Sequence, residues 1–162
     1  MLSREEAERC KMQLEKINLM KAKLNKAELS RANLAGANLR KANLESADLS
    51  LGNLTGVFLS LADLSGADLT NACLFESELI GTNLTGAKLI KADMRRVSFS
   101  KTILDRANLT GADLRESTNL TCRQIANSIV DKSTLFPEYL KIVWVSDFTF
   151  ECRDRKTRID YK

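Results

Sequence analysis

The chain has 162 residues, enough for one domain, and its 28% charged and 44% hydrophobic content excludes wholesale disorder. Histidine is absent, which excludes Ser-His-Asp and Cys-His nucleophilic catalysis and every zinc site that needs imidazole. The net charge of +4 is too mild for a nucleic-acid binder, and with aromatics at only 6% the core has to be filled by smaller side chains.

At the N-terminus, Met1-Leu2-Ser3-Arg4-Glu5-Glu6 carries no apolar run, so no signal peptide is expected. Ser3 and Glu6 have the spacing of a capping box, which predicts a short charged helix over 4–14. Residues 1–13 are read as an N-terminal capping helix.

From Leu14 to Leu114 every fifth residue is Leu, except Met94 and Phe99. Two places before most of them stands a small residue, as at Ala22, Ala27, Ala32 and Ala37, and the slot between is most often Asn or Asp. A period of five suits neither a strand nor an α-helix, because both would scatter the leucines over several faces. A chain that turns a square corner every five residues points every Leu and Ala inward. Four such sides close a coil of about 20 residues, and coils stack at about the 4.8 Å strand spacing into an all-β solenoid. Residues 14–117 are assigned to it.

The unit Ala-(Asn/Asp)-Leu-x-x resembles the pentapeptide-repeat family over residues 12–116. The resemblance implies a right-handed quadrilateral parallel β-helix, here of about five coils, with short helical caps at both ends. It also implies a non-enzymatic protein-interaction or scaffold module. Some members of that family act on DNA gyrase by imitating duplex DNA, so a DNA-mimicking topoisomerase interacting protein is the alternative reading. Such mimicry needs negative potential along the rod. Here residues 1–41 sum to +5, residues 42–87 to −6 and residues 88–162 to +5, an acidic waist between basic ends.

Beyond the repeats, Thr121 can cap a helix running to about Val130, and residues 118–137 are read as a C-terminal capping helix. Residues 138–162 form an aromatic and basic tail, with two short strands, Lys141–Val145 and Phe148–Glu151, around Ser146-Asp147. Its aromatics are expected to dock on the rod, with a homodimer through the C-terminal end as second choice. The basic residues Arg153, Arg155, Lys156 and Arg158 follow. Cys10, Cys73, Cys122 and Cys152 show no C-x-x-C spacing, so free thiols in a cytoplasmic protein are expected.

Chemistry finds little footing. Glu28, Asp48, Asp68 and Lys88 stack along one outward column, solvated and without a pocket. Gly36, Gly56, Gly66, Gly81, Gly86 and Gly111 share one corner slot and form no phosphate-binding motif. Lys16, Lys21, Lys26, Arg31 and Lys41 ring the first coils, and Lys91, Arg96, Lys101 and Arg106 the last, with acids between, so no direct nucleic-acid binding is expected. No catalytic, metal or cofactor residues are assigned, and no run is long enough for a membrane span. The informative exceptions are apolar residues in outward slots. Phe58, Leu61 and Ile80 share one side and Phe75 lies at its edge; with Trp144, Phe148 and Phe150 of the tail they are the candidate contacts for a protein partner.

Overall fold

The computed structural model describes residues 3–147 and 149–154. Its body is a parallel β-helix whose rungs repeat every 20 residues. One column of paired residues climbs Asn18, Asn38, Phe58, Glu78, Ser98 and Thr118; the next climbs Lys23, Asn43, Asp63, Asn83 and Ile103. Nearly every side follows one local rule. The Leu carbonyl accepts the N–H three residues on, as from Ala22 to Leu19 at 3.0 Å, and the corner residue between them is left-handed, as at Lys21 with φ 60°. A tight turn with positive φ at its third position has this form. The Asn or Asp before each Leu reinforces it by accepting the N–H two residues on, from Met20 to Asn18 at 3.2 Å and from Ser50 to Asp48 at 2.9 Å.

The inward Leu and Ala stripes are fully buried, and Phe99 fills the core near its C-terminal end. Where Ser77, Thr82 and Thr102 replace Ala, each hydroxyl donates to a carbonyl of the coil below, those of Leu54, Leu59 and Leu79, at 2.7 to 2.8 Å. At these three positions the narrow axis accepts a hydroxyl without leaving it unpaired.

Helix α1 (Arg4–Arg9) opens on the expected capping box between Ser3 and Glu6 and buries Ala7. It is followed by a 3-10 turn, Lys11–Gln13. Glu8 turns its carboxylate to the N–H of Glu28 at 2.9 Å, standing in for the coil that is missing below. At the other end α2 (Cys122–Ala126) begins on a capping box of Thr121 and Gln124. The helix expected over 118–137 is therefore confined to these five residues. The N–H groups of Arg106, Leu109 and Leu114 need acceptors, and Asn127, Ile129 and Leu135 supply them at 2.7 to 2.8 Å. A longer helix would have kept those carbonyls for itself. Gln124 completes the lid by donating its amide to the carbonyls of Phe99 and Thr102.

The tail forms a hairpin of β1 (Leu140–Trp144) and β2 (Phe150–Asp154), antiparallel from Leu140 opposite Asp154 to Trp144 opposite Phe150. Leu140 is buried, Ile142 and Phe150 pack partly against the core, and Tyr139 places its hydroxyl between the N–H and carbonyl of Leu120. A disulfide joins Cys122 of α2 to Cys152 of β2, so the expectation of four free thiols is corrected for this pair; Cys10 and Cys73 are free. The fold explains the pairing: two cysteines distant in sequence face each other where the hairpin packs on α2, with Cα atoms 5.5 Å apart.

Candidate interaction site

With every Leu and Ala turned inward, the surface of the rod is written by three slots per side: the one before Leu, the one after it, and the left-handed corner. Phe58, Ile80 and Leu61 occupy one of each on neighbouring coils of a single side, at 37%, 40% and 59% exposure. The described part of the tail covers none of them.

Leu61 is unusual twice over: it is an apolar residue at φ 61°, and its side chain leans on the corner above. A Cβ added at Gly81 would sit 2.9 Å from its Cδ2. Phe58 is braced rather than free. The Arg40 guanidinium, from the coil below, lies 4.4 Å from the ring centroid and continues to Glu78, in the coil above, at 3.0 Å. Glu78 also accepts the Ser60 hydroxyl, and this bond together with Arg40 holds its carboxyl below the usual range. The patch thus has a rigid aromatic floor with two aliphatic side chains standing clear of it.

Phe75 lies on the preceding side, half-buried beneath the guanidiniums of Arg95 and Arg96, at 5.4 and 5.3 Å. Those arginines belong to ion-pair ladders, Arg95 with Asp93 at 2.7 Å and Arg96 with Glu76 and Glu116 at 3.0 and 2.8 Å. Trp144 and Phe150 are on the hairpin, packed edge-on with centroids 5.5 Å apart, separate from the side patch. Phe148 lies outside the described residues, as do Arg155, Lys156 and Arg158. Sequence reasoning found the apolar column but missed its bracing. The signal was present, since Arg40 and Glu78 stand one coil below and one above Phe58 on the same side.

The acidic column does not assemble into acid–base chemistry. Burial alone would raise Asp68, but hydrogen bonds from Thr70 and Lys88 outweigh it and lower its pKa, the opposite of what a general acid needs. Lys88 reaches Asp68 at 3.3 Å. Among the described residues no group of His, Cys, Asp or Glu is placed to hold a metal ion, and no helix is long and apolar enough to cross a membrane.

The chain matches the family model for pentapeptide repeats in eight copies, over residues 13–50, 47–79 and 77–115. Among solved structures it is similar to HetL, a pentapeptide-repeat protein involved in heterocyst differentiation regulation in the cyanobacterium Nostoc sp. strain PCC 7120. The identity is 33% and the TM-score 0.56, covering 74% of this chain and 56% of HetL. A second pentapeptide-repeat protein of Nostoc PCC 7120 is 28% identical with a TM-score of 0.54, covering 70% of this chain and 77% of its own. QnrB1, a plasmid-mediated fluoroquinolone resistance protein, is 23% identical with a TM-score of 0.40, covering 75% and 66%, too distant to bear on function. A search of curated proteins finds no match.

Proposed function

The chain belongs to the pentapeptide-repeat family, whose fold is the right-handed quadrilateral β-helix, and from that premise we propose that it is a non-enzymatic scaffold that binds a protein partner through one side of the rod. The observation that carries this reading is the Phe58–Leu61–Ile80 patch, three exposed apolar side chains brought together on neighbouring coils of one side of a rigid rod. Phe75 extends it onto the preceding side, while Trp144, Phe148 and Phe150 belong to a second, terminal contact region. The rod is read as about five coils, residues 14–117. Residues 1–13 and 118–137 cap its ends, and residues 138–162 follow as a tail that docks on the rod in the monomer, a homodimer through the C-terminal end being the second choice. The cytoplasmic placement has to accommodate the Cys122–Cys152 bond, because disulfides are rare in reducing compartments. A count of free thiols in cell extract decides it.

The test replaces Phe58, Leu61 and Ile80 by Ser together, since all three are outward and the core stays untouched. Circular dichroism should be unchanged, and partners cross-linked to the native chain should be lost. Retention of the same partners would move the interface elsewhere. The topoisomerase alternative has weaker support. Three of the six acids of its waist are paired with cations, Asp68 with Lys88, Glu76 with Arg96 and Glu78 with Arg40, and the ends of the rod are basic, so the rod lacks a continuous negative face. No change in gyrase supercoiling across a micromolar titration is the expected result.

A further inference from the structure

The rod is closed by residues that precede the hairpin. Asn127, Ile129 and Leu135 accept from the last coil, the Thr134 hydroxyl donates to the Leu109 carbonyl, and Gln124 donates to the carbonyls of Phe99 and Thr102. None of these bonds involves β1 or β2. The hairpin in turn carries its own ladder, and its turn is closed by the Val145 N–H on the Thr149 carbonyl at 2.9 Å. Two units with separate hydrogen-bonding therefore meet where β2 packs on α2, and one can part from the other without opening the rod.

Burial alternates along both strands, so one face of the hairpin is turned to the body and the other to solvent. Leu140, Ile142 and Trp144 of β1 and Phe150 and Cys152 of β2 make up the inner face, which is almost wholly apolar; Lys141, Val143, Glu151 and Arg153 are outside. Two fasteners hold the inner face down, and both end on one short segment of the body. Tyr139, just before β1, sets its hydroxyl between the N–H and carbonyl of Leu120, at 2.8 and 3.2 Å, and Cys152 is bonded to Cys122 two residues further on. Cys152 stands opposite Ile142, the middle of the five strand pairs, so the covalent bond pins the centre of the apolar face. Both cysteines are half-buried, which leaves the bond open to thiol exchange. Cys10 and Cys73 are free, so this is a single fastener and not one bridge of a disulfide framework.

We propose that the Cys122–Cys152 bond is a redox latch: a dithiol reductant opens it, the hairpin lifts from α2, and the apolar face it kept against the body is exposed, while the rod stays closed. One thiolate of the reductant attacks one sulfur of the bond, and the other sulfur leaves as a thiolate and takes a proton. The second thiol of the reductant then displaces the sulfur held in the mixed disulfide, which is protonated in turn. The chain gains two electrons and two protons, the reductant departs as a cyclic disulfide, and an oxidised dithiol reverses the exchange. In a reducing compartment a disulfide is characteristically transient and redox-sensing, which reconciles this bond with a cytoplasmic placement. Contacts through Trp144 and Phe150 thereby become conditional on redox state, whereas the side patch, carried on the rod, does not. That consequence rests on the reading of Trp144 and Phe150 as a terminal contact region; the opening itself does not.

The test uses the full chain with Cys10 and Cys73 replaced by Ser, titrated with dithiothreitol and followed by the fluorescence of anilinonaphthalene sulfonate, which reports exposed apolar surface. Dye fluorescence should rise severalfold as two thiols appear and fall back when oxidised dithiothreitol restores the bond. Exchange of the β1 amides should speed up about a hundredfold, as for the loss of a crosslink closing 30 residues, with the Leu59 and Leu64 amides of the rod unchanged. Cys122→Ser and Cys152→Ser should each give the open signal without reductant, which separates the latch from a local defect at either position. Two thiols gained with no rise in dye fluorescence would overturn the latch, as would a rise accompanied by faster exchange at Leu59 and Leu64. Opening with the same cross-linked partners in both redox states would instead overturn the conditional contact through Trp144 and Phe150, and would leave the side patch as the interface.

Discussion

Replacing Cys152 by Ser should release the hairpin while leaving the rod intact. The bond spans 30 residues of sequence, and in the chain-entropy treatment a crosslink of that length constrains the unlinked chain by about 3.6 kcal/mol. Packing contributes beside it: Leu140 is the one residue of β1 and β2 that is fully buried, worth about 1.5–3 kcal/mol, Ile142 and Phe150 pack partly against the core, and the exposed Lys132–Asp147 pair adds little. An isolated two-stranded hairpin is marginal in water. Losing an anchor of this size should raise the open fraction by about two orders of magnitude. Trp144, the single tryptophan, reports this directly, because it stacks edge-on against Phe150 across the two strands. Its emission should shift to the red and the β1 amides exchange faster, with the melting of the rod unchanged. The same result should follow from reduction, verified by four titratable thiols in place of two. Full reduction with unchanged emission and exchange would show that packing alone holds the tail, and the reasoning would fail.

Gly56 and Gly81 both sit at left-handed corners, φ 62° and 66°, but a Cβ meets nothing within 4 Å at Gly56 and meets Leu61 at Gly81. Gly81→Ala should therefore lower Tm more than Gly56→Ala, and Leu61→Ala should abolish the difference; a difference that survives would sink the contact. Acid should destabilise the rod through Glu78, Asp93 and Asp113, whose carboxyls are held low by Ser60 with Arg40, by Arg95 and by Arg115. Their folded pKa values lie below the unfolded ones, so their contribution is complete above about pH 4–4.5 and is lost as pH falls through the lower folded values. Calorimetry should show Tm flat from pH 7 to about 5 and falling below about 4, a fall blunted by salt.

The body of the fold was legible because one residue type recurs at one spacing, and only a four-sided coil turns every such Leu inward. The same rule puts Phe58, Leu61 and Ile80 together from the sequence alone, since residues 20 apart must stack. It failed where the spacing drifts. Ile129 pairs with Asn108 and Leu135 with Asp113, 21 and 22 residues later rather than 20, so the last rung is invisible to a strict period and was read as helix. It failed again where contacts depend on long side chains or on packing between units. Arg40 reaches across two coils to Glu78, and Cys122 meets Cys152 because the hairpin folds back on α2. Neither is encoded by local spacing.

The corners separate what the fold requires from what it merely allows. A left-handed conformation costs an L-residue about 1–2 kcal/mol, which Lys or Arg at a corner accepts while staying solvated. Leu51 and Leu61 bear the same strain, at φ 59° and 61°, and remain 49% and 59% exposed, so burial returns little to offset it. Gly at either corner would relieve the strain and lose about 0.5–1 kcal/mol to the greater freedom of the unfolded chain. Leu51→Gly and Leu61→Gly should accordingly leave Tm within a few degrees of the native value. Their effects on binding should differ. Leu61 stands beside Phe58 and Ile80, whereas Leu51 occupies a corner away from them, so only Leu61→Gly should weaken capture of a cross-linked partner, by about tenfold for one buried aliphatic side chain. Equal effects of the two substitutions on binding, or none from either, would detach Leu61 from the interface and leave its strain without a functional explanation.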